Sequence, residues 1–305
     1  MKHYNSLNEY LKIKYGKKVY KLSINGGMTC PNRDGKIGDK GCIFCSKGGS
    51  GEFASSARLS IKEQLEHAKK MVESKTKDNA YIAYFQPFTN TYADTEYLRK
   101  IFYEAIEPEY IVGLSVATRP DCLEDDKIKL LEEINKIKPV SVELGLQTIH
   151  EETAEYIRRG YTLDVYKKTV ERLHKANIEV VTHVIIGLPY ESIEMILETV
   201  RYVGRNTDGI KLQLLHVIAG TDLAEEYAKG KFEVLTLEEY TDIICKCIEI
   251  LPQNVVIHRI TGDGDKRSLI APLWSADKKR VLNYMNNELK RRNIVQGSKC
   301  EARAE

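Results

Sequence analysis

With 305 residues, 42% of them hydrophobic and 30% charged, and a net charge of +2, the chain can fold as one large domain around a sizeable core. No run of the sequence approaches the ~20 apolar residues of a membrane span, and its N-terminus has no apolar segment typical of a secretory signal. The seven cysteines are too few for a disulfide scaffold in a chain of this length. We therefore expect a cytoplasmic protein without a membrane partner, whose cysteines serve metal binding or catalysis.

Short apolar runs alternate with amphipathic stretches along the chain, a pattern typical of repeated β-α units. The predicted strands are residues 19–24, 81–85, 111–117, 140–146, 180–186 and 210–215, with a further strand at 255–260. The predicted helices are 61–73, 95–107, 124–136, 163–176, 192–206 and 278–292, with Thr95 and Ser192 as N-caps. No G-x-G-x-x-G motif follows the first strand, which argues against a dinucleotide-binding fold. The predicted fold class is therefore α/β, a partial (β/α)6 TIM-type barrel with a C-terminal strand and helix extension.

Both ends of the chain are basic. Residues 1–21 hold six lysines and one glutamate, and residues 278–305 hold eight Lys/Arg and three Glu, so that each end carries +5 and the middle about −8. We expect a basic N-terminal segment at 1–18, the barrel at 19–216 and a C-terminal extension at 217–305 that packs on the barrel. The lysine-rich N-terminus together with Lys290, Arg291 and Arg292 is a candidate patch for RNA phosphates. Ordinary solvated termini would give the same charge pattern.

Three cysteines lie on a glycine-rich loop that directly follows the first predicted strand. They are Cys30, Cys42 and Cys45, and no fourth cysteine or histidine lies close to them in the sequence. Structural zinc sites usually have four protein ligands, whereas a 4Fe–4S cluster held by three cysteines leaves one iron open to another ligand. The loop therefore indicates a cluster with an open iron. The alternative is a zinc site completed by a distant histidine such as His67.

Polar residues gather at the predicted strand ends, where a barrel of this kind binds its ligands. Glu143 lies inside an apolar strand, where an unpaired carboxylate would be costly to bury, so we expect it to face the barrel mouth and accept hydrogen bonds from a ribose. Structural histidines and arginines paired with acidic residues remain the alternatives for the basic members of the group. The other candidates are Gln86, Thr89, Arg119, Gln147, Gly187, His216, His258 and Arg259.

Ordered motifs along nearly the whole chain resemble those of radical S-adenosylmethionine (SAM) enzymes, in particular the YhcC/YtqA-like family, which is related to the radical domain of the elongator catalytic subunit. The first cysteine gap is eleven residues, longer than the common C-x3-C-x2-C spacing but shared with this family. The matching segments are Cys30-Pro-Asn-Arg-Asp-Gly, Gly41-Cys-Ile-Phe-Cys, Tyr84-Phe-Gln-Pro-Phe-Thr-Asn-Thr-Tyr, Ala117-Thr-Arg-Pro-Asp-Cys, Glu143-Leu-Gly-Leu-Gln, Arg159-Gly-Tyr-Thr, Ile186-Gly-Leu-Pro, Leu214-Leu-His-Val and Ala271-Pro-Leu-Trp-Ser.

The resemblance implies a role for each matching residue. The three cysteines would hold three irons of a 4Fe–4S cluster, and the fourth iron would bind the amino and carboxylate groups of SAM. The segment from Gln86 to Thr89 would meet the methionine amino group, and Glu143 with Gln147 the ribose. The remaining positions are Phe44, Ile186 and Gly187 against the adenine, His216 as a further cofactor residue, and Arg119, Arg159, His258 and Arg259 toward the substrate.

The resemblance also implies the reaction. Reductive cleavage of SAM would yield a 5′-deoxyadenosyl radical, with flavodoxin or ferredoxin as the electron donor. The implied substrate is a tRNA wobble uridine, whose carboxymethylaminomethyl group at C5 would be processed to aminomethyl, ahead of methylation by a separate methyltransferase. Two alternatives stay open: the same radical chemistry on a small metabolite or peptide, and a zinc-stabilised binding module without enzymatic activity.

Overall fold

The computed structural model describes residues 3–46, 48–49, 54–76, 78–262, 264 and 266–300. The strands are β1 (Tyr20–Ile24), β2 (Tyr81–Phe85), β3 (Ile111–Thr118), β4 (Val140–Gln147), β5 (Glu179–Ile186), β6 (Gly209–Leu214), β7 (Val217–Ile218), β8 (Val256–Arg259) and β9 (Leu269–Ala271). The α-helices are α1 (Leu7–Tyr15), α2 (Ile61–Val72), α3 (Thr95–Ile106), α4 (Asp125–Asn135), α5 (Glu151–Tyr156), α6 (Leu163–Lys175), α7 (Ile193–Asn206), α8 (Asp222–Ala228), α9 (Leu237–Ile250) and α10 (Lys278–Arg291).

Seven strands form one parallel sheet in the order β1-β2-β3-β4-β5-β6-β8. The sheet is strongly curved, as contacts between distant strands show. On its inner face, the carboxylate of Glu143 on β4 contacts the ammonium groups of both Lys21 on β1 and Lys211 on β6. The predicted partial barrel is thus confirmed, and the later strand predicted at 255–260 joins it as the seventh member, paired with β6.

The strands alternate between an inner face of mixed polarity and an outer apolar face that the helices cover. On β5, His183 and Ile185 face the interior cavity, whereas Val184 and Ile186 lie in the apolar core outside the sheet. This alternation follows from the two-residue period of a strand. It explains why the strands are apolar throughout except at a few positions, which are the ones that build the site.

Helix starts show where local chemistry decides a boundary. Ser192 caps α7 as predicted, because its hydroxyl accepts from the backbone N–H of Met195 at 3.2 Å. The prediction of Thr95 as the cap of α3 is wrong: the preceding Asp94 accepts from the N–H of Glu96 at 2.9 Å, and Thr95 is already inside the helix. Both residue types are good caps, so the sequence alone did not separate two adjacent candidates.

Helix α1 covers the end of the barrel at which the strands begin. The Nζ of Lys14 and the hydroxyl of Tyr10 donate to Glu179, the first residue of β5, at 3.0 and 2.9 Å. The segment before α1 joins the end of the chain, since the backbone N–H of Gln296 donates to the carbonyl of His3 at 2.9 Å. Helix α1 was not among the predicted helices, although Ser6 caps it and an apolar stripe from Leu7 to Tyr15 packs on the barrel. We call this end of the barrel the closed end.

The C-terminal extension returns to the opposite end of the barrel, where the strands finish. Strand β9 pairs with β7, which follows β6 directly, and the indole N–H of Trp274 donates to the carbonyl of Leu235 at 2.9 Å. Helix α10 then runs back to the closed end. Its basic C-terminus is therefore remote from the strand ends, and Arg292 is ion-paired with Asp242 and Glu288. The predicted patch around residues 290–292 lies on the closed side of the molecule.

Within the described ranges, no helix is long and apolar enough to cross a membrane.

Candidate functional site

A cavity of about 260 Å³ occupies the inside of the barrel and opens where the parallel strands end. The cysteine loop after β1 forms its upper wall, and the inner residues of β2 to β6 and β8 form its sides and floor. The predicted site residues that line it are Cys30, Cys42, Phe44, Cys45, Gln86, Thr89, Arg119, Glu143, Gln147, Arg159, His216 and Arg259.

The cysteine loop is held in place by side-chain and backbone hydrogen bonds to the carbonyl groups of a neighbouring segment. Asn32 donates from Nδ2 to the carbonyl of Arg158 at 2.7 Å, and the N–H of Ile43 donates to the carbonyl of Ile157 at 3.3 Å. Gly41 has φ +77° and lies against the guanidinium of Arg33, so that a Cβ there would come within 2.9 Å of that side chain. These contacts explain the long first cysteine gap: the inserted residues fold back and tie the loop to the segment after β4.

The three cysteine thiols share one environment at the top of the cavity. Burial, together with the nearby Cys45 and Cys30 thiols, raises the pKa of the Cys42 thiol to about 12. In the described part of the chain, no three Cys, His, Asp or Glu side chains converge closely enough to hold a single metal ion. His67 lies on α2, outside the barrel. Three cysteines on one loop match the ligand set of a 4Fe–4S cluster, in which each cysteine binds a different iron.

Apolar and amide groups surround the upper cavity. Phe44 packs on an apolar cluster that includes Ile185 and Leu215. Gln86 accepts from the hydroxyl of Ser23 at 3.0 Å. The Oε1 atom of Gln147 is buried and has no hydrogen-bond partner among the described residues. A buried acceptor without a donor is costly, so this amide oxygen fits the hydroxyl of a bound ligand.

Two predicted adenine contacts are placed differently. The side chain of Ile186 is fully buried in the core on the helix side of the sheet, and its neighbour Ile185 lines the cavity instead. Gly187 has φ +89° and lies against Leu235, with a would-be Cβ 2.9 Å from that side chain. Successive side chains of a strand point to opposite faces of the sheet. An assignment that is shifted by one residue therefore names Ile186 where Ile185 faces the cavity.

Glu143 is the centre of a buried polar network at the floor of the cavity. Its Oε1 accepts from Lys21 at 2.5 Å and from the Ser115 hydroxyl at 3.1 Å. Its Oε2 accepts from the Tyr84 hydroxyl and from Nε2 of His183, each at 2.8 Å, and contacts the Lys211 ammonium. A carboxylate offers about four acceptor positions, and five donors already occupy them.

Burial and neighbouring charges shift the pKa values of the residues in this network. Burial alone would raise the pKa of Glu143, but the Lys21 and Lys211 ammonium groups hold it well below its usual range. Burial lowers the pKa of Lys211 to about 7; Glu143 opposes the shift, and Lys21 and Arg259 add to it. Burial also lowers the pKa of His183 to about 4, so this imidazole is neutral at pH 7 and its Nε2–H donates to Glu143.

The two arginines predicted to contact substrate have partners within the protein. Arg119 forms an ion pair with Asp121 at 2.8 Å and donates to the carbonyl of Arg159 at 2.8 Å. Each side-chain nitrogen of Arg159 donates to a protein oxygen, including the carboxylate of Glu151 at 2.9 Å. Both guanidinium groups stack on the ring of Tyr161, at 5.0 and 4.9 Å from its centroid. These contacts fix the wall behind the cysteine loop.

His258 and Arg259 point to different ends of the barrel. Arg259 lines the main cavity at the level of Lys211, its partner in the β6–β8 register. His258 instead lines a small cavity at the closed end, together with Lys21 and Glu179. The expectation that His258 faces the open end is wrong, because His258 is the residue of β8 that the register shift leaves without a partner on β6.

Sequence reasoning missed the two lysines of the floor. Lys21 lies in Tyr-Lys-Leu-Ser-Ile and Lys211 in Gly-Ile-Lys-Leu-Gln-Leu, each a single charge within a buried strand. The same signal identified Glu143. Applied to lysines, it predicts that each of these charges pairs with an acidic group on another strand across the barrel.

Comparisons with known proteins agree along the chain. Residues 30–203 match the radical SAM superfamily, and residues 207–291 match the radical SAM C-terminal domain. The chain is 44% identical to the uncharacterized protein YtqA of Bacillus subtilis (strain 168) over 97% of this chain and 92% of that protein. It is 39% identical to the protein YhcC of Escherichia coli (strain K12), over 88% of this chain and 86% of that one.

More distant matches extend the comparison. The chain is 31% identical to the tRNA uridine(34) acetyltransferase of Methanocaldococcus jannaschii over a segment that covers 50% of this chain and 28% of that protein. Among solved structures, the archaeal Methanocaldococcus infernus Elp3 with an N-terminal deletion matches 91% of this chain and 64% of its own, with a TM-score of 0.71 and 19% identity. Methylornithine synthase (PylB) matches 93% of this chain and 85% of its own, with a TM-score of 0.54 and 13% identity. These structural likenesses concern the fold.

Proposed function

Because this chain belongs to the radical SAM superfamily, it is an enzyme that uses a 4Fe–4S cluster and SAM, and we propose that its substrate is a wobble uridine of tRNA. The proposed step removes the carboxymethyl group from the amine at C5 of that uridine. Loss of a hydrogen atom and an electron from its methylene carbon, with SAM as the two-electron oxidant, would give an imine, whose hydrolysis breaks the C–N bond and releases aminomethyluridine and glyoxylate. A separate methyltransferase would then methylate the amine. The observation that carries the substrate class is the match of half of the chain to a tRNA uridine(34) acetyltransferase.

The cysteine loop supplies the cluster ligands in this proposal. Cys30, Cys42 and Cys45 would each bind one iron at the top of the cavity, and the apolar cluster around Phe44 would shield the site from water. When bound, the cluster and SAM supply reductive cleavage and hydrogen abstraction, with an electron donor such as flavodoxin or ferredoxin. The protein's contribution is to bind, orient and exclude water.

The amide groups of the upper cavity would orient SAM. The unpartnered Oε1 of Gln147 is the acceptor best suited to a ribose hydroxyl, whereas the Glu143 carboxylate is already saturated by protein donors. Gln86 and Thr89 line the same wall, where they would face the methionine amino group. We therefore move the ribose contact from Glu143 to Gln147, with Ile185 in place of Ile186 beside the adenine.

Reconstitution under anaerobic conditions tests the cluster assignment. The wild-type protein should take up about four irons per chain, the content of a 4Fe–4S cluster, and produce 5′-deoxyadenosine from SAM. A Cys30→Ala variant should lose both properties. Cys245→Ala is the matched control, because that thiol is buried on α9 away from the cavity. One tightly bound zinc and no iron, or 5′-deoxyadenosine formation by Cys30→Ala, would contradict the assignment.

Nucleoside analysis tests the substrate. Total tRNA from cells with and without this gene is hydrolysed and its modified uridines are compared. The proposal expects the carboxymethylaminomethyl form to accumulate in the deletion strain and the aminomethyl form to disappear, with recovery on complementation by wild type but not by Cys30→Ala. An unchanged tRNA profile would instead favour a small metabolite or peptide as the substrate.

A further inference from the structure

We propose that Lys211, at the floor of the barrel, binds a carboxylate of the substrate, so that this enzyme selects substrates by an anionic group buried beneath the SAM site. The inference rests on the proposed wobble-uridine function for the identity of that group, which is the carboxylate of the carboxymethylaminomethyl substituent. It concerns recognition only and adds no chemical step.

The first observation is a charge imbalance in a buried place. The ammonium groups of Lys21 and Lys211 share the single carboxylate of Glu143, and no other carboxylate of the described residues contacts either lysine. Lys211 is 5% exposed. A buried charge is stable only when it is paired, so with both lysines protonated the floor is one negative charge short, and the lowered pKa of Lys211 reflects that shortage.

The second observation is access. Lys211 lines the main cavity, whereas Lys21 lines the small cavity at the closed end, below Glu143. A ligand entering from the open end therefore meets Lys211 first, and Lys21 remains as the structural partner of Glu143. The cavity follows the chain from Lys211 to His216, a length of roughly 16 Å at ~3.3 Å per residue.

The third observation is the set of groups around Lys211. It is faced by Glu143 from β4, His183 from β5, Tyr84 from β2 and Arg259 from β8, with Lys21 of β1 behind the carboxylate. Apart from Glu143, these groups are cationic or neutral donors. An anion placed beside Lys211 would thus complete the pairing, and a neutral or cationic group there would not.

Removal of the Lys211 charge is structurally mild. In Lys211→Met, Glu143 keeps Lys21 as a one-to-one ion pair and keeps the hydroxyls of Ser115 and Tyr84 as donors. We therefore expect this variant to fold, to retain its iron and to bind SAM as wild type does. Lys211→Arg retains the positive charge. Lys138→Met is a matched control, because Lys138 is a half-buried lysine that donates to the carbonyls of Ile106 and Pro108 outside the cavity.

The experiment compares two anticodon stem-loops bound to the SAM-loaded holoenzyme. One carries 5-carboxymethylaminomethyluridine and the other 5-aminomethyluridine at the wobble position. Wild type should prefer the carboxylate-bearing RNA by about 10- to 100-fold, the range of a charge-assisted hydrogen bond. Lys211→Met should prefer it by less than about 3-fold, while Lys211→Arg and Lys138→Met keep most of the wild-type preference.

The possible results distinguish the carboxylate site at Lys211 from the proposed wobble-uridine function. Equal binding of the two RNAs by wild type, or an unchanged preference in Lys211→Met, overturns the carboxylate site even if the tRNA profile of the deletion strain confirms the function. Weaker SAM binding by Lys211→Met in the absence of RNA assigns the charge to the cofactor and also overturns it. A preference that depends on Lys211, together with an unchanged tRNA profile, supports the site and contradicts the proposed function.

Discussion

Replacement of Glu143 by glutamine should be among the most destabilising isosteric changes in this chain. The substitution keeps the size of the side chain but removes the one carboxylate among the described residues that contacts Lys21 and Lys211. Breaking a buried ion pair by neutralising one partner typically costs about 3–5 kcal/mol. Because Lys211 can lose its proton at little cost, the unpaired charge falls mainly on Lys21, and we expect a loss within that range.

The destabilisation caused by Glu143→Gln depends on pH, because it is limited by the cost of deprotonating the buried lysines. A buried lysine can escape an unpaired charge by losing its proton, and from a reference pKa near 10.4 this costs about 5 kcal/mol at pH 7. Lys211 already has a pKa of about 7, so further deprotonation of this residue is cheap. Each unit of increasing pH lowers the free energy of deprotonating a buried lysine by about 1.4 kcal/mol. The loss of stability in Glu143→Gln should therefore shrink by up to about 3 kcal/mol between pH 7 and pH 9.

Urea unfolding of the cluster-free protein, followed by circular dichroism at both pH values, measures this loss. Glu191→Gln is the matched control, since that carboxyl is partly buried and hydrogen-bonded to Thr148 but forms no ion pair with a lysine. It should lose about 1 kcal/mol or less, the net value of one hydrogen bond. If Glu143→Gln is no less stable than Glu191→Gln, or its loss does not fall with pH, the account of the barrel floor is refuted.

Three further predictions concern ligands. Gln147→Ala should weaken SAM binding by about 2- to 10-fold at normal iron content, measured by equilibrium dialysis, and unchanged affinity would remove it from the ribose site. Wild-type affinity for the carboxylate-bearing stem-loop should fall by up to about tenfold from pH 7 to pH 8, because only the ammonium form of Lys211 attracts the carboxylate; a flat titration would argue against that contact. Lys279→Ala, at the open-end start of α10, should reduce the slope of log affinity for tRNA against log salt by up to about one, whereas Lys290→Ala, at the closed end, should leave it unchanged. A salt slope that falls in Lys290→Ala but not in Lys279→Ala would place the RNA at the closed end of the barrel.

The strands of the sheet could be predicted because their own residues carry the signal. A strand covered on both faces reads as an apolar run, and β2 begins and ends at the predicted residues. Helix α1 was missed although its signals are local: Ser6 caps it, Gly16 ends it, and an apolar stripe from Leu7 to Tyr15 packs on Ile82 of β2. A short stripe among lysines is a weaker signal than a continuous apolar strand.

The site could be predicted in part for the same reason. The three cysteines are close in the sequence, and one loop brings them together, so their spacing was sufficient. The partners of Glu143 come from five other strands and became visible only when the sheet curved. Burial cost correctly marked Glu143 as unusual, but it could not distinguish a ligand contact from a network within the protein.

The contact between the two ends of the chain has a consequence for biosynthesis. The carbonyl of His3 and the N–H of Asn5 bond to Gln296, and Asn5 in turn accepts from the N–H of Ile257 on the last strand of the sheet. A segment early in this sequence is thus bonded to one that follows 291 residues later. Until that later segment is available, the backbone groups of His3 and Asn5 lack their Gln296 partner, so this corner of the closed end is the last to be completed.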